Sequence, residues 1–121
     1  MLMAAENSVR VSLSINSIDS AKWGNVYAEF RDEKPKAEWK MDGLLTVRAL
    51  RQVTGSTRIK KEGARIYLEG ERLILCYKSE LSHEAVAPVA SYAFPIVLEF
   101  HVIGIHRRDY LITVSDDCDQ L

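Results

Sequence analysis

The sequence lacks the motifs that identify the common classes of enzyme. None of its serines stands in the G-x-S-x-G setting of a serine hydrolase, and the segment TGST lacks the pattern of a phosphate-binding loop. No apolar run approaches the roughly 18 residues that cross a bilayer, and the N-terminal segment MLMAAENSVR has no basic stretch of the kind that begins a secretory signal. We therefore expect no membrane partner, and the missing motifs do not favour an enzyme.

Cysteine, proline and glycine are scarce. With three prolines and six glycines among 121 residues, the chain is not of the disordered or low-complexity kind. Cys76 and Cys118 have no spacing typical of a disulfide framework, which predicts two reduced thiols and, together with the missing signal, a cytoplasmic location. No local spacing fixes three metal ligands, so we predict no metal site and no cofactor.

What the chain does have is the composition of one ordinary globular domain. Hydrophobic residues make up 47% and charged residues 27%, and the formal net charge is −1. A chain of this length can bury roughly two thirds of the surface that its unfolded form exposes, which is enough for one core. The sequence predicts a single domain over residues 1–121, with residues 1–7 and 116–121 frayed.

Alternation of apolar and polar residues indicates strands over most of the chain, beginning with SVRVSLSIN. Glycines at 55, 63 and 70 separate RIK, ARIYL and RLILCYK, which predicts a meander of antiparallel strands. The stretch 95–105 is apolar on both faces, so we expect a central strand, paired with a strand over 109–114. The predicted fold is mainly β, an antiparallel sheet of six to eight strands folded as a sandwich, a barrel or a strongly curved sheet.

One segment, near residues 20–33, favours a helix. Trp23, Val26, Tyr27 and Phe30 follow helical spacing, and Asp19 is placed to cap the first turn. Gly24 opposes the helix, and the same apolar residues also alternate as in a strand. We predict one helix in an otherwise β protein, with an α+β fold as the alternative.

The stretch PIVLEFHVIGIHRRDYLITV sets a carboxylate and an imidazole into the most apolar part of the chain. Glu99 and His101 are two residues apart, so a regular strand places both on one face about 7 Å apart. In a concave sheet they would line a ligand pocket, and Tyr92 or Tyr110 would donate a hydrogen bond to a bound oxygen. The alternative is the solvent-exposed polar face of a strand.

A second group of candidates is basic. The segment 48–65 carries six lysines and arginines and one glutamate in a chain of net charge −1. Such a patch can hold phosphates, and the candidates are Arg51, Arg58, Lys60 and Lys61. The alternative is that these side chains lie on a solvent-exposed face of the strands and bind nothing. A pI near 6.3 does not favour a nucleic-acid domain.

The leading functional prediction is a non-enzymatic binding or protein-interaction domain. It depends on the missing catalytic motifs and on strand edges that could accept a partner. The apolar surplus of the last two strands predicts a homodimer. The alternatives are a small-molecule pocket or enzyme that uses Glu99 and His101, and phosphate or nucleic-acid binding through the segment 48–65.

Overall fold

Seven strands and one short helix make up the described part of the chain in a computed structural model, which describes residues 9–54, 57–81, 93–116 and 118. In chain order the elements are β1 (Arg10–Ser17), a 3-10 turn (Ser20–Lys22), α1 (Trp23–Glu29), β2 (Lys36–Met41), β3 (Leu44–Thr54), β4 (Thr57–Glu69), β5 (Arg72–Leu81), β6 (Ala93–Ile103) and β7 (Leu111–Ser115). The predicted mainly β class is confirmed.

The strands form two sheets that are not closed into a barrel. The first sheet has four antiparallel strands in the order β1–β6–β3–β2, and the second has three strands in the order β4–β5–β7. Because alternate residues of a strand point to opposite faces, each sheet has a core face and an outer face. Buried side chains of both core faces meet in one cluster that includes Leu45, Val47, Leu98, Phe100, Leu73, Leu75 and Tyr77.

The centre of the first sheet is the pair β3 and β6. Their antiparallel register runs from Leu44 opposite Ile103 to Thr54 opposite Ala93 without a shift. The predicted central position of β6 is confirmed, since it lies between β1 and β3. Its core-face residues Leu98, Phe100 and Val102 are fully buried, as expected of a central strand.

The last strand departs from the predicted arrangement. We expected the segment 109–114 to pair with β6, but β7 pairs in parallel with β5. The chain leaves the first sheet at Gly104, which has a φ of 88°. Ile105 is then buried in the core, and the Leu111 N–H donates to the Glu71 carbonyl at 2.8 Å. Burial of Ile105 favours the crossing over a tight hairpin.

The predicted turn at Gly63 is instead a bulge inside one long strand. The register of β4 with β5 shifts between Lys60 and Arg65, so that RIK and ARIYL belong to a single strand, β4. Gly63 is buried, and a β-carbon there would lie 3.2 Å from the β-carbon of Lys78. Glycine therefore marks a close approach of two strands at this position and not a chain reversal.

The helix is shorter than predicted. Asp19 caps the 3-10 turn, where its carboxylate accepts from the Ala21 N–H at 3.4 Å, so the predicted cap is confirmed. α1 then ends at Glu29, and Phe30 is buried beyond it, which leaves the last four residues of the predicted range 20–33 in a loop. No helix in the described parts of the chain is long and apolar enough to cross a membrane.

The two cysteines form a disulfide, so the prediction of two reduced thiols is wrong. Cys76 lies on the outer face of β5, directly opposite Ser115 of β7, and Cys118 follows three residues later. The pairing was hidden by a sequence separation of 42 residues and by the unforeseen parallel strand. The bond tethers Cys118 within the tail that we expected to fray; the expected fraying of residues 1–7 lies outside the described residues.

Candidate functional site

Glu99 and His101 lie side by side on the outer face of the first sheet. His101 Nε2 is 3.3 Å from Glu99 Oε1, and the two side chains are 32% and 28% exposed. The neighbouring positions on β1 and β3 are polar as well: Ser14 and Arg48 flank Glu99, and Ser12 and Thr46 flank His101. The pair therefore belongs to a half-exposed polar face.

The proposed hydroxyl partners of this pair do not meet it in the described structure. Tyr92 lies outside the described residues. The Tyr110 hydroxyl donates to the His106 carbonyl at 2.8 Å, and its ring packs against the core and 6.5 Å from the Trp39 ring. Within the described residues, no group of three His, Cys, Asp or Glu side chains could hold a metal ion.

The four basic candidates are spread over both sheets. Arg51 points toward the core, where its guanidinium bonds to protein groups. Arg58 and Lys60 stand on β4 in the second sheet, where Arg58 is opposite Glu80 and the Lys60 ammonium lies 3.3 Å from the Glu80 carboxylate. Lys61 is exposed next to them. The structure brings Arg58, Lys60 and Lys61 together and separates Arg51 from them.

A cleft of about 420 Å³ opens elsewhere, between the end of α1 and the second half of β3. Its wall on one side is formed by Tyr27, Phe30 and the loop that leads to Pro35. The other wall is β3 from Ala49 to Gln52. Neither Glu99 nor His101 lines this cleft. The cleft therefore lies apart from the pocket that the sequence predicted at that pair.

The cleft exists because β2 is shorter than β3. Pairing of β2 with β3 begins at Lys36 opposite Arg48, and β3 continues for six more residues to Thr54. Before Lys36 the chain turns away, with Glu33 in the left-handed region at a φ of 59°. Among the described strands, none pairs with β3 beyond Arg48 on this side. We call residues 49–53 on that side the open edge.

The backbone groups of the open edge can be assigned from the register. The Gly104 N–H donates to the Gly43 carbonyl at 2.7 Å, which places the backbone groups of Gly43 on the β6 side of the strand. Because the direction of these groups alternates along an antiparallel strand, odd-numbered residues of β3 face β6 and even-numbered residues face away. Leu50 and Gln52 therefore direct their N–H groups to the open edge.

Arg51 connects the open edge to the second sheet, and it also donates to the Leu50 carbonyl, which faces the open edge by the same alternation. Its Nε donates to the Tyr77 hydroxyl at 3.0 Å, and its Nη2 donates to the Val114 carbonyl at 2.9 Å, so one guanidinium joins β3 to both β5 and β7. Its Nη1 donates to the Leu50 carbonyl at 2.9 Å. Burial raises the pKa of the Tyr77 hydroxyl, and the nearby Arg51 charge opposes this rise.

Among the described residues around the cleft, some charged side chains form ion pairs and others do not. Lys36 binds both oxygens of Asp32, and its hydrogen bond holds the pKa of Asp32 below the usual range. Arg48 pairs with Glu29. Arg31 and Lys34 line the cleft with exposed side chains, and no ion pair engages either of them within the described part of the chain.

Sequence reasoning missed this cleft for an identifiable reason. Helical spacing predicts that Tyr27 and Phe30 lie on one stripe of a helix. The helix instead ends at Glu29, so Phe30 is buried in the cleft wall and Tyr27 remains 38% exposed. A usable signal was Pro35, which cannot donate to a ladder and so favours the start of β2 after it. The length of β3 could not be read from its pattern, because the strand mixes apolar and polar residues on both faces.

Comparison with known proteins assigns no family to the chain. No protein-family model, curated protein or solved structure matches it. The function is therefore inferred from the geometry of the candidate sites.

Proposed function

We propose that this chain is a non-enzymatic protein-interaction domain that binds an extended segment of a partner protein along the open edge of β3. The observation that carries the proposal is the difference in length between β2 and β3, which leaves β3 from Ala49 to Val53 without a described strand on the side away from β6. A strand edge with free N–H groups is a template for another strand, and proteins recognise extended peptides by adding them to such an edge.

The cleft beside the open edge supports this mode of binding. A peptide that adds to β3 obtains affinity from main-chain hydrogen bonds, and pockets for its alternate side chains supply specificity. Tyr27, Phe30 and Pro35 give the facing wall an apolar surface. The hydrogen bonds of Arg51 hold the strand in place before binding, which lowers the conformational entropy lost on association.

The enzyme or small-molecule alternative has less support. Glu99 and His101 are within reach of each other, but each is about a third exposed among polar neighbours, and the cleft lies elsewhere. The phosphate alternative is weakened because Lys60 is paired with Glu80 and Arg51 is held by protein groups.

Self-association remains a prediction, whereas the predicted cytoplasmic location loses the support of two reduced thiols because Cys76 and Cys118 form a disulfide. The exposed apolar side chains Met41 and Ile103, 62% and 50% exposed, lie at one end of the outer face of the first sheet, and Leu44 lies between them. They are the positions at which we would test a homodimer, by sedimentation of Met41→Lys and Ile103→Lys variants. A dimer that both substitutions leave intact would not use this surface.

The test of the proposed function is a peptide selection with a matched competitor. A displayed library of random peptides is panned on the wild-type protein in the presence of excess Gln52→Pro protein. This variant lacks the N–H of residue 52 at the open edge. Proline there removes no ladder bond to β6, so the variant should stay folded. Gln52→Ala, which keeps the N–H, is the control.

We expect selected peptides that bind wild type and Gln52→Ala and that lose most affinity for Gln52→Pro. Amide shift changes on the labelled wild-type protein should centre on Leu50, Gln52 and the Tyr27 side of the cleft. Peptides that bind Gln52→Pro equally well, shift changes centred on His101, or no enrichment over the competitor would each overturn the proposal.

A further inference from the structure

We infer that the segment accepted at the open edge is acidic, with carboxylate side chains that flank an apolar residue. This inference rests on the proposed function and adds the chemistry of the partner. It depends on the charges that line the cleft and on which of them already have a partner in the protein.

The cleft carries more positive than negative charge. Three cationic residues, Arg31, Lys34 and Arg51, line it together with one acidic residue, Glu33. The Arg51 guanidinium points toward the core and is held there by a hydroxyl and two carbonyls, so the charges next to the cleft are those of Arg31, Lys34 and Glu33. The field in the cleft therefore favours a negative ligand.

Two of these cations are available to a ligand. The acids nearest to them in sequence are engaged elsewhere, Asp32 by Lys36 and Glu29 by Arg48. Arg31 and Lys34 stand on the loop that lies across the cleft from the open edge. Arginine and lysine in this position would pair with carboxylates of the ligand.

The apolar part of the ligand follows from the facing wall. Phe30 is buried and Tyr27 is 38% exposed, and both border the cleft together with Pro35 and Leu50. An extended chain directs alternate side chains to opposite faces, so a ligand in which acidic and apolar residues alternate would meet the loop cations with one face and the apolar groups of the cleft with the other. The pattern expected of the ligand is thus alternating acidic and apolar.

The same charges argue against a second copy of this chain as the occupant. A symmetric pairing of two open edges would bring Arg31 and Lys34 of one copy near the same residues of the other, and like charges so juxtaposed are unfavourable. The acidic partner is therefore the occupant that we propose.

The test uses three synthetic peptides of about seven residues, the length of a long strand, in which valine alternates with glutamate, glutamine or lysine. Their affinities are measured by fluorescence anisotropy for wild type, for Arg31→Glu combined with Lys34→Glu, and for Gln52→Pro. A matched control with the same charge change, Lys61→Glu combined with Arg65→Glu, alters exposed residues of β4 that do not line the cleft.

We expect the glutamate peptide to bind wild type at least about tenfold more tightly than the lysine peptide at low salt, with the difference shrinking as salt shortens the screening length. The Arg31 and Lys34 double variant should reverse the preference, and the β4 control should keep it.

Equal binding of all three peptides, lost in Gln52→Pro, would overturn the acidic partner and leave the proposed function intact. Binding that Gln52→Pro does not reduce, or no binding by any peptide, would count against the proposed function itself. A wild-type dimer in sedimentation that Gln52→Pro converts to a monomer would identify a second copy as the occupant and overturn the inference.

Discussion

The two halves of β3 have the same partner on one side and different surroundings on the other. From Leu44 to Arg48 the strand lies between β6 and β2, and from Ala49 to Val53 it has β6 alone among the described strands. We call them the covered half and the open half. The covered half is part of a finished sheet, whereas the open half retains backbone donors and stands beside a cleft.

An open strand edge can thus form without a sequence motif. The open half results from where β2 begins, which depends on Pro35, on Glu33 in the left-handed region and on the pair formed by Asp32 and Lys36. None of these residues bonds to the open edge. They hold the chain away from it, so the edge stays open while Arg51 ties it to the second sheet.

The largest effect is expected from the disulfide, which acts on both halves equally. Reduction, or Cys76→Ala, frees a loop of 42 residues in the unfolded chain and should lower the free energy of unfolding by about 4 kcal/mol. Urea unfolding with and without reductant measures it. An unchanged unfolding midpoint would show that the bond does not stabilise the fold.

The second-largest effect on stability should differ between the covered half and the open half. Thr46→Pro in the covered half removes an N–H that faces β2 and should cost about 1 to 3 kcal/mol, because a ladder hydrogen bond is lost. Gln52→Pro removes the corresponding N–H of the open half, which faces no described strand, and should cost less than about 1 kcal/mol. Thermal unfolding of both variants against their alanine counterparts gives the comparison. Equal losses would mean that the open half is covered.

A smaller effect concerns the anchor of the open half. Tyr77→Phe removes the hydroxyl that accepts from Arg51 and should cost about 1 to 2 kcal/mol, because a half-buried donor loses its partner. The open half should loosen while the covered half stays protected. Amide exchange along β3 measures both, and uniform loosening of the strand would contradict the role of this bond.

Alkaline pH should act through the same hydroxyl. Burial raises the pKa of Tyr77 in the folded protein above its ordinary value of 10.0, so the folded state holds this proton more tightly than the unfolded chain. The associated stability is complete below the ordinary value and is lost as pH rises through the folded pKa. Tyr77→Phe should make the alkaline decline less steep; an identical slope in both proteins would refute this.

The smallest effect is expected at the polar outer face. Glu99 and His101 form a half-exposed pair, which should contribute less than about 1 kcal/mol, so His101→Ala should change the melting temperature little. A thermal-shift screen of metabolites on wild type and His101→Ala checks for a ligand role. A metabolite that stabilises wild type alone would restore the pair as a candidate site.

Local patterns predicted most of the strands, and long-range contacts decided what the patterns left open. Alternation was enough for β1, and the apolar residues on both faces were enough to predict β6 as a central strand. Neither pattern could indicate that β7 joins β5, since that depends on the burial of Ile105 after Gly104.

The candidate site was harder to predict for the same reason. The separation of Glu99 and His101 follows from strand geometry and was readable from two residues. The open edge depends on the difference between two strand lengths and on a loop that turns at Glu33, and neither leaves a spacing signal. The disulfide likewise depends on the parallel pairing that brings Ser115 opposite Cys76.

The measurement that tests the open edge most directly is amide hydrogen exchange at Thr46 and Gln52, in the free protein and with the glutamate peptide at saturation. Both N–H groups face the same side of β3, one toward β2 and one toward the cleft. We predict that Thr46 is protected throughout, and that Gln52 exchanges at least about a hundredfold faster when free and slows when the peptide binds. Equal protection of the two amides in the free protein, or an exchange rate at Gln52 that the bound peptide leaves unchanged, would contradict the account.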